Sequence, residues 1–137
     1  AAMGRVQLSR LDEWQIRRQE IAALHSAAIA HHQSLHAPRV RPGAVHGWHQ
    51  YTIRCEYSQE LIQHLESKEI DARIHYMIPC HRQPVMSDHP QYSEGSLPVT
   101  ERLCGQLVSI PVHPFLSEEE ILRIHAALIE FTPPQKT

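Results

Sequence analysis

The sequence lacks an excess of charge of either sign. Its 13 lysine and arginine residues stand against 15 aspartate and glutamate residues, which leaves a net charge of −2 with histidine neutral. A protein that holds a phosphate backbone needs a basic surface, so we expect no nucleic-acid partner. The sequence also has no run of about 18 apolar residues, the length that a membrane-spanning helix requires. Its first residues, Ala1 to Arg5, do not have the basic start and apolar stretch of a signal peptide, so we expect no membrane contact and no export.

Cysteine is scarce and has no motif spacing. Cys55, Cys80 and Cys104 are odd in number and widely separated. This pattern fits neither a disulfide framework nor a Cys-x-x-Cys zinc knuckle, and it is typical of a reducing compartment. The sequence therefore predicts a cytoplasmic protein.

The chain does have enough apolar material for a core. It is 137 residues long with 42% hydrophobic residues, which predicts a single globular domain over residues 1–137. Twelve histidines are its most unusual feature, because protonating all of them would raise the net charge from −2 to +10. We therefore expect solubility and assembly to depend on pH.

The N-terminal 30 residues contain no proline, and apolar residues recur from Leu8 to Ala28 at spacings of three, four and seven. The spacing predicts one long amphipathic helix over residues 1–30, regular from Arg5. Such a helix is about 38 Å long at 1.5 Å per residue, longer than the body of a small domain, so we expect a partner to pack along it. Residues 31–47 are rich in histidine, proline and glycine and predict a connecting loop.

Residues 48–131 alternate between strand and helix patterns, and residues 132–137 form a tail. The predicted strands are Trp48 to Cys55, Asp71 to Met77 and Leu107 to Ile110. The predicted helices are capped by Ser58, by Ser96 and by Ser117, which opens a capping box with Glu120. Residues 78–96, with several prolines, predict a loop. The order α-β-α-β-α-β-α predicts an α+β fold with a small three-stranded sheet covered by helices mainly on one face.

At several points the residues become recognisable. The matching blocks lie, in order, at residues 2–14, 17–18, 45–51, 74–84, 97–103, 109–114 and 117–121. Together they resemble the C-terminal part of the sugar aminotransferases of the DegT/DnrJ/EryC1/StrS family, which are fold type I enzymes dependent on pyridoxal phosphate. The resemblance covers nearly the whole chain.

The resemblance implies that the catalytic part of such an enzyme lies outside this sequence. In the family a larger N-terminal domain holds the lysine that forms the Schiff base with pyridoxal phosphate, and most of the phosphate ligands. The two lysines here, Lys68 and Lys136, lie in no matching motif. We therefore expect no catalytic residue and no bound cofactor in this chain alone, and interpret it as a small domain that is not catalytic by itself.

The same resemblance implies a group of substrate-binding residues, because they match a loop that lies near the active-site mouth in the family's enzymes. Its members are His75, Tyr76, His81, Arg82 and Gln83, which can contact the phosphates and hydroxyls of a nucleotide-sugar. The match is imperfect, since Met77 replaces the family's usual proline and Cys80 its usual leucine. The alternative interpretation is that these are solvated loop residues without their partner domain.

Metal and thiol chemistry are weaker hypotheses. Histidines occur in two groups that could ligate zinc: His31, His32 and His36, and His46 with His49. Neither has a helical His-Glu-x-x-His pattern or paired cysteines, so we predict no native metal site. Cys80 beside His81 has no identifiable third group to orient an activated thiol.

Part of the first helix is expected to be an association surface. Its residues are Leu8, Leu11, Trp14 and Ile21, which form one apolar stripe. Two hypotheses follow. The chain is an association or binding module that forms a homo-oligomer, most simply a two-fold dimer, or it is one half of a split nucleotide-sugar aminotransferase whose separate large domain supplies the cofactor lysine.

Overall fold

The structure, a computed structural model, describes residues 1–86 and 97–135. Five α-helices and two β-strands occur in this part of the chain. They are α1 (Ala2–Leu8), α2 (Leu11–Ala28), β1 (Tyr51–Arg54), α3 (Ser58–Glu66), α4 (Pro98–Cys104), β2 (Leu107–Ile110) and α5 (Glu118–Glu130). Two 3-10 turns, Cys80–Arg82 and Pro84–Met86, lie between α3 and α4. The predicted α+β class is confirmed.

The prediction of one unbroken N-terminal helix is wrong. The helix breaks at Ser9 and Arg10, where the Ser9 hydroxyl donates to the Val6 carbonyl at 2.7 Å and Arg10 leaves helical geometry at φ −109° and ψ 0°. No residue of α1 is buried. Because short helices are held mainly by tertiary packing, α1 lacks the buried side chains that would hold it against the rest of the described chain.

The sheet has two strands among the described residues, so the predicted three-stranded order is not confirmed. β1 and β2 are antiparallel, with Tyr51 opposite Ile110 and Arg54 opposite Leu107. The predicted strand at 71–77 is reduced to one bridge, in which Arg73 exchanges two backbone hydrogen bonds with Ser109 at 2.7 and 3.1 Å. The chain then turns at residues 75–78. Alternation of apolar and polar residues indicates an extended chain. A β-strand also requires several consecutive residues to stay beside the neighbouring strand, and the turn prevents this.

The core lies where α5 meets α2 and α3, and where α3 meets β2. Its largest fully buried side chains include Tyr51, Ile21, Leu61, Leu65 and Leu128. The predicted capping box of α5 is confirmed: Glu120 N donates to Ser117 Oγ at 3.2 Å, and Ser117 N donates to Glu120 Oε2 at 2.8 Å. Ser58, by contrast, does not cap α3, since its hydroxyl donates to the Gly105 carbonyl at 2.6 Å. The predicted cap Ser96 lies outside the described residues.

Histidines link α5 to the rest of the molecule. His32 Nε2 donates to the Phe131 carbonyl at 3.0 Å, and His64 Nε2 donates to the Ala127 carbonyl at 2.8 Å. Between α2 and α5, fully buried His25 donates through Nε2 to the Pro111 carbonyl at 2.9 Å and lies 3.0 Å, through Nδ1, from His125 Nε2. None of the described helices combines the length and the hydropathy that crossing a bilayer would require.

Candidate functional site

The five residues implied by the resemblance do not all line the same recess of the described structure. His75 lines a polar cleft of about 590 Å³, whereas Tyr76 and His81 line an apolar pocket of about 440 Å³. Arg82 and Gln83 line neither recess. The His75 and Tyr76 rings nevertheless lie edge to face at a centroid distance of 5.7 Å, and all five residues stay a prediction as ligand contacts.

The polar cleft is built from four segments of the chain. Arg18 projects from α2, His49 and Gln50 precede β1, residues 71–75 form the bridge segment, and residues 109–113 run out of β2. Its apolar lining residues are Ile110, Pro111 and Val112. Apolar lining with a few polar groups is the usual composition of a small-ligand site.

Arg18 fixes the two loops that border this cleft. Its Nη1 lies 3.1 Å from the Trp48 carbonyl, 3.5 Å from the His49 carbonyl and 3.3 Å from the Val112 carbonyl. One half-buried side chain of α2 thus holds the segment before β1 and the segment after β2. Sequence reasoning missed Arg18 as a site residue, although a signal was present, because the Arg17-Arg18 pair interrupts the apolar stripe of the first helix.

Arginine and histidine side chains predominate among the polar residues of the cleft. Arg18 and Arg73 line it with three imidazoles, those of His49, His75 and His113, and its one acidic lining residue is Asp71. Asp71 is neutralised locally, since its Oδ1 lies 2.9 Å from Arg73 Nε. His75 Nδ1 is buried with no hydrogen-bond partner among the described residues. His49 and His113 were not predicted as members of this site.

Beside the apolar pocket, Glu101 of α4 contacts two residues of the 3-10 turn at Cys80–Arg82. Buried His81 lies with Nε2 2.7 Å from Glu101 Oε1, and Arg82 Nη2 lies 3.5 Å from Oε2. The hydrogen bond from His81, helped by the Leu97 amide and Arg82, lowers the pKa of Glu101 below its usual value. Gln83 Nε2 donates to the Ile78 carbonyl at 3.1 Å. These contacts fix the 3-10 turn on α4.

The described residues do not fit pyridoxal phosphate as a resident cofactor. Their one lysine, Lys68, is exposed, lies 2.8 Å through Nζ from Glu130 Oε2, and lines neither the cleft nor the apolar pocket. The second lysine of the sequence, Lys136, lies outside the described residues. A Schiff-base lysine must sit in a site built around the cofactor, and Lys68 does not.

Thiols and metal ligands add no further site. Cys55 is buried in the core, and burial raises the pKa of its thiol. His46 Nδ1 accepts a hydrogen bond from the Trp48 amide at 2.9 Å. Across residues 1–86 and 97–135 no three His, Cys, Asp or Glu side chains converge as a metal site would require.

Only some residues of the predicted association surface are exposed. Leu8 is 67% exposed and Leu11 49% exposed, and Trp14 is half-buried with its ring edge on Phe115 at a centroid distance of 5.8 Å. Ile21 is fully buried, so its assignment to an association surface is wrong. It lies about two turns beyond Trp14 along α2, where the helix enters the core against α5.

Known proteins similar to this chain include sugar transaminases. It is 34% identical over 131 residues to dTDP-3-amino-3,4,6-trideoxy-alpha-D-glucose transaminase of Streptomyces venezuelae, covering 96% of this chain and 34% of that protein. It is also 34% identical over 128 residues to the erythromycin biosynthesis sensory transduction protein EryC1 of Saccharopolyspora erythraea, covering 93% and 35%. The solved structure of S. venezuelae DesV in complex with a ketimine intermediate superposes with a TM-score of 0.87 at 35% identity, over 92% of this chain and 34% of that one.

The match extends along the chain but not along its relatives. The chain spans about a third of the length of the curated relatives that it matches. The sequence model of the DegT/DnrJ/EryC1/StrS aminotransferase family matches residues 1–129, and the chain belongs to that family.

Proposed function

We propose that this chain acts as the C-terminal domain of a nucleotide-sugar aminotransferase and that it is not catalytic by itself. It docks onto a large domain that carries pyridoxal phosphate and its lysine, and it contributes one wall of the substrate cleft. The cofactor supplies the amino-transfer chemistry, and the residues of this chain bind and orient the sugar substrate.

The observation that carries this proposal is the exposed apolar face of the N-terminal helices. We define it as Met3, Val6, Leu8, Leu11 and Ile16, which are between 49% and 82% exposed. Each such side chain contributes about 1.5–3 kcal/mol when it is fully buried. No residue of α1 is buried. An exposed apolar face of this kind is typical of a docking surface.

The composition of the polar cleft supports the second part of the proposal. Its arginines and histidines are donors suited to hydroxyl and phosphate oxygens, and the cleft is open, as expected for one wall of a larger site. The similar transaminase of S. venezuelae is named for a dTDP-sugar, which makes a nucleotide-sugar the natural candidate substrate.

The proposal can be tested with a chimera in which this chain replaces the last third of the S. venezuelae transaminase. We expect the chimera to catalyse amino transfer, and the large domain without any last third to be inactive. Leu8→Asp with Leu11→Asp should reduce the turnover at least tenfold, because two carboxylates would be buried at the docking surface. A folded chimera that binds pyridoxal phosphate but has no turnover would contradict the proposal.

A matched control is available on α5. Leu122 is as exposed as Leu8, at 67%, but lies outside the N-terminal apolar face. Leu122→Asp should leave the turnover of the chimera unchanged. Equal losses from Leu122→Asp and from the double variant would mean that the N-terminal face has no special role.

Self-association through the same face is a second candidate. Beside the exposed Phe115, a shallow recess is rimmed by Arg10, Glu13, Arg17 and Glu20. Charges of both signs around one apolar patch allow the patch to pair with itself across a two-fold axis. We infer that the isolated chain forms a dimer when no large domain covers the face.

A further inference from the structure

We propose that Glu101 of α4 is a positioning residue, which orients Arg82 towards the substrate and fixes His81 beside it. The inference deepens the proposed function and rests on it, because it needs a substrate that reaches the 3-10 turn at Cys80–Arg82. The resemblance implies roles for His81 and Arg82 but none for Glu101. In the structure Glu101 joins both residues, from 20 and 19 positions further along the chain.

Glu101 uses its two carboxylate oxygens for two neighbouring residues of the turn. Oε1 lies 2.7 Å from His81 Nε2, and Oε2 lies 3.5 Å from Arg82 Nη2. The Leu97 amide donates to Oε1 at 3.4 Å, which ties the carboxylate to the beginning of its own helix. Hydrogen bonds to an ionised carboxylate are stronger than hydrogen bonds between neutral groups. One side chain therefore sets the direction of two others.

The contact with Glu101 also decides which nitrogen of His81 carries a proton. The hydrogen bond from His81 is the main cause that lowers the pKa of Glu101, so this carboxylate is ionised at neutral pH. An ionised carboxylate only accepts hydrogen bonds, so His81 Nε2 must be protonated. The His81 side chain is 5% exposed, and a buried ring held by a carboxylate keeps one orientation. His81 is thus a fixed part of the turn beside Arg82.

Arg82 is the residue of this group that can reach a ligand. Its side chain is 33% exposed, and Nη2 makes its one hydrogen bond to the described residues. Nε and Nη1 therefore have donors left for ligand oxygens. Because the guanidinium is planar, a contact at one nitrogen restricts the plane of the others. A side chain that is already restricted loses less freedom on binding, so removing Glu101 should weaken substrate binding and not the chemical step.

The first measurement is the protonation of the His81 imidazole in the isolated chain, by proton–nitrogen correlation NMR at neutral pH. We expect a proton on Nε2 in the natural chain. Glu101→Ala should give a mixture of protonation forms, because no carboxylate then selects one of them. A proton on Nδ1 alone in the natural chain, or an unchanged His81 spectrum in Glu101→Ala, would overturn the inference.

The second measurement is the steady-state kinetics of the chimera with the S. venezuelae large domain. Its substrate is dTDP-3-amino-3,4,6-trideoxy-alpha-D-glucose, for which that enzyme is named, with a 2-oxo acid as the amino acceptor. Glu101→Gln keeps the size of the side chain but loses its charge and one acceptor oxygen. We expect this variant to raise KM for the sugar about fivefold and to leave kcat unchanged.

A double-mutant cycle tests whether Glu101 acts through Arg82. Arg82→Gln alone should raise KM for the sugar about tenfold, because it removes a charged donor. Adding Glu101→Gln should raise KM no further, since two substitutions that act through one group are not additive. Glu119→Gln, which removes an exposed glutamate of α5, is the matched control and should change neither KM nor kcat.

Two kinetic results would also overturn the inference. One is an unchanged KM in Glu101→Gln, with or without a lower unfolding temperature, which would make Glu101 a purely structural contact. The other is additivity of Glu101→Gln and Arg82→Gln, which would mean that Glu101 does not act through Arg82. An active chimera with either result leaves the proposed function standing, whereas a folded chimera without turnover refutes both.

Discussion

Acidification should destabilise this protein through the buried contact between α2 and α5. The Pro111 carbonyl can only accept a hydrogen bond, so His25 Nε2 must carry a proton. In neutral His25, Nδ1 is then an acceptor and takes its hydrogen bond from His125 Nε2. Burial lowers the pKa of His25 from 6.5 to about 4, and the neighbouring His125 adds to this effect against the opposing Pro111 bond. Burial also lowers the pKa of His125.

The direction of the pH dependence of stability follows from the number of protons that the folded and unfolded chains bind. Between pH 6.5 and 4 the unfolded chain binds a proton at His25 and the folded chain does not, so stability is complete above pH 6.5 and is lost as the pH falls. For these two pKa values the loss between pH 7.5 and pH 5 is about 2 kcal/mol. Glu101, Glu120 and Glu130 have pKa values lowered from 4.5, so their contributions are lost mainly at more acidic pH.

Urea unfolding measured by the fluorescence of the buried Trp48 at pH 7.5 and at pH 5 provides the assay. We expect His25→Gln to be less stable than the natural chain at pH 7.5 but to lose about 2 kcal/mol less on acidification. His31→Gln, which removes an exposed histidine, should retain the full dependence. If His25→Gln and the natural chain lose equal stability, the buried contact is not the source and the reasoning is refuted.

Three further outcomes are expected. Borohydride reduction with pyridoxal phosphate should leave no stoichiometric adduct at Lys68, because this lysine is exposed and ion-paired; one adduct per chain at Lys68 by mass spectrometry would contradict this. Ser117→Ala should lower the unfolding free energy by about 1 kcal/mol through loss of the capping box, whereas the exposed Ser67→Ala should cost less. Light scattering at neutral pH should find a dimer that Leu8→Asp dissociates, and a 15.8 kDa particle at high concentration would refute self-association.

Local chemistry was predictable where neighbouring residues decide it. Ser117 and Glu120 form the capping box that the sequence indicates, and β2 has the bounds expected from the apolar run between Gln106 and Pro111. In both cases the signal and the structure lie within a few residues. The strand at 71–77 failed because its pattern says nothing about how far the chain stays beside β2, and only Arg73 does so.

The site was less predictable because its parts come from distant segments. His75 could be proposed from its motif, but the role of Arg18 depends on carbonyls 30 and 94 residues away. Periodicity marks Arg18 only as a polar interruption of a helix. Ile21 failed for the related reason that a continuous apolar stripe passes from an exposed face into a buried one without any change in its pattern.

The pairing of β1 with β2 limits when the protein can fold during synthesis. Tyr51 can pair only after Ile110 has been synthesised, and His25 on α2 can make its contact only after His125 on α5 has been synthesised. An N-terminal fragment that stops before residue 107 has neither the second strand nor the helix that covers Ile21, so its apolar surfaces stay accessible to chaperones. The contact between His25 and His125 joins residues 100 positions apart, and the pairing of Tyr51 with Ile110 joins residues that are also distant in the sequence. The chain should therefore acquire protease resistance late and in one step, after Glu130 has left the ribosome.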